Sequence, residues 1–370
     1  MIERSFAVNS QMSRIETSST GAYPPHAREA SGAWKPSRRD FLAAATTGAA
    51  YAVVAPRTVC AQNAPQANKA LIAITLDLEM SRNFPNWEDR HWDYEKGNLN
   101  DAAKAYTVEA CRRVKKRGGV VHAFVVGRVL EQENVDWLKE IANQGHSIGN
   151  HTYDHVYVLA KDANEIQFRF ARAPWLVQGK PVQEVIRENI AITTRALEQR
   201  IGVKPNGFRT PGGFADGLAG REDVQRMLLD LGFKWVSAKY PAFDGVRELQ
   251  AANETPSDEV YRNIVAAQVR SQPFVYPTGL IDIPMNPISD IGAFRGGRWK
   301  LEHFLQAVRL GVTWAIENAA VYDFLSHPSC LGVVDPKFKC IDLICDLVEQ
   351  AKDRAAIVDL QTIASRVKTA

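Results

Sequence analysis

From residue 70 onward the chain alternates short apolar runs with longer amphipathic ones, and this rhythm restricts the fold more than any other feature. ALIAITLD (70–77) is β-branched and apolar, the composition of a buried strand. DAAKAYTVEACRRVKKRG (101–118) has helical spacing, a basic last turn and a closing glycine. GVVHAFVVG (119–127) reads as a second strand, NVDWLKEIANQG (134–145) as a helix and HSIGN (146–150) as a third strand. A helix over 181–202 opens on Pro181 and ends on Gly202, as helices commonly do. NGFRT (206–210) is a fourth strand, 221–232 a helix and FKWVSA (233–238) a fifth strand. GLIDIP (279–284), a helix over 299–318 and VYDFLSHP (321–328) continue the pattern. A helix over 340–353, AAIVDL (355–360) and a terminal helix complete it. Strands alternating with helices predict an α/β fold with a mostly parallel sheet. Seven or eight such units without a linker predict a barrel in a single catalytic domain.

The first 61 residues read differently. SRRDFLAAATTGAAYAVVAPRTVCAQ places Arg38 and Arg39 before an apolar run from Phe41 to Ala55, with Val59, Cys60 and Ala61 at a small-residue cleavage point. This resembles a twin-arginine export signal and implies a periplasmic or extracellular mature protein. A membrane anchor is the alternative, but the run is shorter than the roughly 20 residues a spanning helix needs. Residues 62–370 are then the mature chain, with a core of about 70–370, and no later segment is apolar enough to span a membrane. The leader carries seven Lys/Arg and four Asp/Glu, which leaves 38 of each sign in the body. A formally neutral body argues against a nucleic-acid binder, which needs a basic face. Cys111, Cys330, Cys340 and Cys345 remain after the leader, and with no C-x-x-C pair they do not suggest a zinc ribbon. Export would permit a Cys330–Cys340 disulfide; four buried free thiols is the favoured reading.

Chemistry gathers at the C-terminal ends of the strands, where barrel active sites form. The first ends in TLDLE, with Asp77 and Glu79 two apart and so facing the same way in extended backbone. The third runs into His151 and His155, whose four-residue spacing suits one face of a helical turn. The fourth ends in FRTPGG, with Arg209, and the seventh in LSHP, with His327. A His-x-x-x-His pair alone is a weak signal, and a carboxylate at a strand end is usually just solvated. Their coincidence on one rim is stronger, because two histidines and a carboxylate form an open site for Zn²⁺ or a similar metal. A metal in such a site lowers the pKa of its water from about 15.7 toward about 7.

The set D-x-E, H-T-x-x-H, R-x-P-G and L-S-H, in that order over roughly residues 70–370, resembles the NodB-homology polysaccharide deacetylases of carbohydrate esterase family 4, in a divergent D-x-E branch. The resemblance implies a distorted (β/α) barrel of about seven strands that removes N-acetyl groups from amino sugars with a divalent metal. It implies Asp77 as the general base, His327 as the general acid and His151 and His155 as metal ligands. Leu78 occupies the position of the family's usual aspartate ligand, so Glu79 takes that role by resemblance to the D-x-E branch. Arg209 would pair with Asp77 and keep it ionised, and the Gly212 N–H would help stabilise the oxyanion. Many relatives carry a bulky aromatic where Gly212 stands, so the cleft should be more open. No D-x-x-D-W motif follows the fifth strand; Asp282 is the candidate for orienting His327. Zn²⁺, Co²⁺, Ni²⁺ and Fe²⁺ all suit the donor set.

Other residues receive blander expectations. His146 is structural, His122 and His303 belong to the core or a helix surface, and His91 to a surface loop. Inserts at 81–100 and 156–180 shape access to the cleft, with Trp87, Trp92 and Trp175 packed within them rather than stacked on sugars. The expected substrate is an N-acetylated glycan; the rivals are another linear or cyclic amide on the same barrel and a non-catalytic glycan-binding protein.

Overall fold

The computed structural model describes residues 69–89, 96–205, 207–245 and 255–368. The leader, His91 and Trp92 lie outside the described residues. The described residues belong to one compact unit, Asn63–Ala370.

Among the described residues nine strands form one sheet. They are β1 (Ala70–Leu78), β2 (Val121–Val125), β3 (Ser147–Asn150), β4 (Phe208–Phe214), β5 (Trp235–Lys239), β6 (Phe274–Val275), β7 (Ile281–Asp282), β8 (Val321–Ser326) and β9 (Ala355–Ile357). Their order is β6-β7-β5-β4-β3-β2-β1-β8, with β9 also on β1, and every pairing is parallel except β6 with β7. The result is a curled, parallel-dominated half-barrel of the distorted (β/α) type. The sequence pattern misses β6, a two-residue strand too short to have a period.

β1, paired with β2, β8 and β9, is buried along all nine residues, as a parallel strand covered on both faces should be. Its alternate residues divide two environments. Ile72, Ile74, Leu76 and Leu78 join the large apolar cluster that includes the helices at Asp101–Lys116 and Leu301–Glu317. Leu71 and Ala73 point the other way, into a small inner cluster with Phe124, Trp235, Ile281 and Ile283. Thr75 and Asp77 continue that inward row toward the C-terminal end of the strand. The barrel interior therefore has an apolar floor and a polar rim. His122 lies in this interior, fully buried and stacked on Phe124 with 4.5 Å between ring centres; burial lowers its pKa to about 3. Gly149 is required where β3 crosses these rings, because a Cβ there would meet Phe124 at 2.4 Å.

Helix ends follow local chemistry. Asn100 caps the helix at Asp101–Lys116 by accepting from the Ala103 N–H, and Gly202, left-handed at φ +72°, ends Val182–Ile201. All four cysteines of the body are free and buried, so no Cys330–Cys340 bridge forms. Among the described residues no helix is long and apolar enough to cross a membrane.

Candidate active site

Four strand ends deliver the residues singled out in the sequence. Asp77 lies on β1. Glu79 follows just past the strand, its N–H donating to the Asp77 carbonyl at 3.0 Å. This tight turn, rather than continued extension, puts both carboxylates on one cavity: His151 Nε2 stands 3.7 Å from Asp77 Oδ2 and 3.7 Å from Glu79 Oε2. The Glu79 carbonyl is fixed by the Ser329 hydroxyl at 2.6 Å, which ties the end of β1 to the residues after β8.

His151 and His155 do converge, but not on a helical turn. Residues 151–157 are irregular, with Thr152 and His155 both left-handed at φ +58°. Asn150 shapes this loop. Its Oδ1 accepts from the Thr152 N–H at 2.9 Å, and its Nδ2 donates to the Ile190 carbonyl at 2.8 Å. Thr152 Oγ1 in turn accepts from the Val156 N–H. These side-chain-to-backbone bonds replace helical ones, so the four-residue spacing points to the right pair for the wrong reason. The His151 Nδ1 sits 2.9 Å from the Arg209 carbonyl; Nδ1–H donation there leaves the Nε2 lone pair facing the cavity.

Glu79, His151 and His155 offer one ligand atom each, all within 4.8 Å of one another. Glu79 Oε2 is buried, lies against His155 Nε2 and accepts no well-formed hydrogen bond among the described residues. Burial works against the charge of Glu79, but His155 and then Lys96 outweigh it and hold the pKa well below the usual range. Burial lowers His155 to about 4, so near neutral pH its imidazole is neutral and Lys96 is the charged neighbour of the Glu79 carboxylate. A buried carboxylate oxygen beside two ring nitrogens is the donor set a divalent metal takes.

Arg209, wholly buried on β4, organises the floor of the cavity. Its Nη1 donates to Asp77 Oδ1 at 3.1 Å and Thr75 Oγ1 at 2.7 Å, its Nη2 to Ser237 Oγ at 3.1 Å and to Asp323. Its guanidinium also lies 4.4 Å over the Phe124 ring. Burial raises Asp323 to about 6 despite Arg209. With one oxygen of Asp77 held this way, the other faces His151 and, at 3.9 Å, His327 Nε2.

The orientation of His327 corrects one expectation. Asp282 does not reach it: Asp282 accepts from the Tyr276 hydroxyl and from the Ala238 N–H, and burial raises it to about 6. Asp290 does the work instead, 2.8 Å from His327 Nδ1 through Oδ1 and accepting the His327 N–H through Oδ2 at 2.8 Å. Burial opposes charge on His327, but Asp290 outweighs it, followed by Asp77 and Glu79, and the pKa rises. Sequence reasoning missed Asp290 because it precedes an irregular turn of chain and belongs to no motif; the one available signal is a lone acid between Ser289 and Ile291 in NPISDIG.

Gly212 stands on the exposed end of β4 at φ +79°, and a Cβ there would meet nothing within 4 Å, so the cleft is open at this point. Trp87 and Trp175 are 57% and 68% exposed, contrary to the expectation that they pack within their inserts. His146 is structural, its Nδ1 accepting from the Val121 N–H at 3.0 Å, and His303 lies on the Leu301–Glu317 helix.

Residues 95–234 match the family model described as polysaccharide deacetylase. That range holds His151, His155, Arg209 and Gly212, while Asp77, Glu79 and His327 fall outside it. Three solved structures share the fold at a TM-score of 0.52. A polysaccharide deacetylase-type protein from Mycobacterium smegmatis is 16% identical, over 82% of this chain and 92% of that one. A second from Pseudomonas aeruginosa PAO1 is 14% identical, over 81% and 91%. The allantoinase Puue is 16% identical, over 85% and 97%. No curated protein matches the sequence.

Proposed function

We propose that this member of the NodB-homology polysaccharide deacetylase family is an exported, metal-dependent N-deacetylase of an amino-sugar glycan. Membership and a deacetylase-type hydrolytic activity are supported by the match over residues 95–234; the metal, the substrate and the export are our reading. The observation that carries it is the convergence of Glu79, His151 and His155 within 4.8 Å, with Asp77 and His327 turned to the same cavity. Export rests on the Arg38–Arg39 leader.

Glu79, His151 and His155 would hold the metal, most simply Zn²⁺. When bound, it would supply Lewis acidity toward the amide carbonyl and a more acidic water. Asp77 takes the proton from the attacking water through Oδ2, because Oδ1 is committed to Arg209. His327 gives a proton from Nε2 to the departing amine, while Asp290 on Nδ1 keeps the ring charged and aimed. An amine is a poor leaving group without that proton. The Gly212 N–H contributes to holding the oxyanion.

The test is metal content of the mature protein, wild type beside Glu79→Ala and His151→Ala, with acetate release from N-acetylglucosamine oligomers measured on the same samples. About one metal per chain in the wild type, lost in both variants with the acetate, is expected. Metal without acetate moves the substrate to another amide; absence of metal after reconstitution removes the metal from the mechanism.

A further expectation concerns pH. If His327 acts as an acid, activity falls as pH rises through its raised pKa. Asp290→Asn removes the chief raising influence, so the alkaline limb of the kcat/KM profile should move to lower pH, with kcat at its optimum also reduced. An unmoved limb would detach it from His327.

A further inference from the structure

Lys96 belongs to none of the motifs above, yet it touches the carboxylate of the candidate metal site. Its Nζ stands 2.9 Å from Glu79 Oε1, and the two side chains are 11% and 6% exposed. The position is fixed by the residue's own carbonyl and by the residue that follows it. The Lys96 carbonyl accepts from the Met80 N–H at 2.8 Å, which clips the loop to the end of β1. The next residue, Gly97, packs so closely that a Cβ would lie 2.7 Å from the backbone of Arg128 and Val129. The ammonium is therefore delivered to Glu79 by the fold, not by a surface side chain that happens to reach it.

We propose that Lys96 limits the metal affinity of the site. It claims Oε1, so Glu79 presents Oε2 alone to the side of the cavity that holds His151 and His155, and its fixed charge offsets that of the sole carboxylate in the three-donor cluster. The inference rests on the metal-site reading above. The outer partner of a ligating histidine strengthens a metal site by accepting a hydrogen bond and making the ligand more basic, and a ligating carboxylate is usually held by neutral donors. Lys96 is a charged donor: it draws charge from the carboxylate and sets a cation close to where a second cation would bind. Like charges a few ångströms apart in a poorly hydrated site repel strongly. The expected consequence is a site that loads and releases its metal more readily than its donor atoms alone would dictate.

Zinc dissociation constants measured by chelator competition on the folded mature protein test this. Lys96→Met keeps most of the length and removes the charge. Lys96→Gln also removes it but can still donate to Oε1. Both should bind Zn²⁺ at least about tenfold tighter than wild type, a change of about 1.4 kcal/mol, while Lys96→Arg stays close to wild type. Circular dichroism and a thermal melt establish that each variant is folded, and Lys96→Gln serves if Lys96→Met is not. Unchanged or weaker binding in the neutral variants overturns the proposal, weaker binding making Lys96 an organiser of Glu79. Failure of the wild type itself to bind zinc would instead refute the metal-site reading.

Discussion

Asp77→Asn should keep the metal and lose turnover by about 10²–10⁴-fold, the range a positioned acid or base contributes. The substitution is nearly isosteric, and the amide oxygen can still accept from Arg209 Nη1, so the cavity floor should persist. What disappears is the ability of the second oxygen, 3.7 Å from His151 Nε2 and 3.9 Å from His327 Nε2, to take a proton. Asp77 is outside the compact Glu79–His151–His155 donor cluster, which is why metal content should hold. Measuring both quantities on one preparation separates the roles. Loss of metal with turnover would recast Asp77 as a ligand, and full activity would take it out of the chemistry.

The sequence made the scaffold legible because burial leaves a periodic trace. β1 is apolar on both faces and reads as a strand at once, whereas β6 has two residues and no period. At the site, residues attached to a strand end were findable, since a regular element carries them to a known rim. Asp77, Glu79, Arg209 and His327 are of this kind. Residues delivered by irregular backbone were not. Asp290 reaches His327 from 37 positions upstream, and Lys96 reaches Glu79 from 17 positions downstream. Nothing local to either one signals a partner. His151 and His155 are intermediate: the pair stands out, but the loop that joins them depends on Asn150 bonding across to Ile190, a contact that spacing does not encode. Trp87 and Trp175 fail for a simpler reason, because hydrophobicity predicts burial only where there is a core to enter.

Arg209 carries the largest expected effect on stability. Arg209→Met should destabilise the fold by about 3–5 kcal/mol at neutral pH, the cost of breaking a buried ion pair from one side. Asp323 is wholly buried, and Asp77 nearly so, and both are held by this guanidinium. Met fills much of the volume but answers neither charge. The pH dependence distinguishes charge from packing. In the wild type, burial already raises Asp323 to about 6, above its ordinary 3.8, so the folded state binds a proton more tightly than the unfolded one. Ionising Asp323 therefore costs stability as pH rises through that interval. Without Arg209 the folded pKa climbs further, and the penalty at pH 8 grows relative to that at lower pH. Urea unfolding of both proteins at pH 8 and about pH 5 should give a deficit that narrows on acidification. Arg209→Lys should recover part of it, since a lysine restores the charge but cannot span Asp77, Thr75, Ser237 and Asp323 together. A deficit equal at both pH values would mean that the missing contacts of the guanidinium with Phe124 and its neighbours, not the unanswered carboxylates, hold this part of the barrel together.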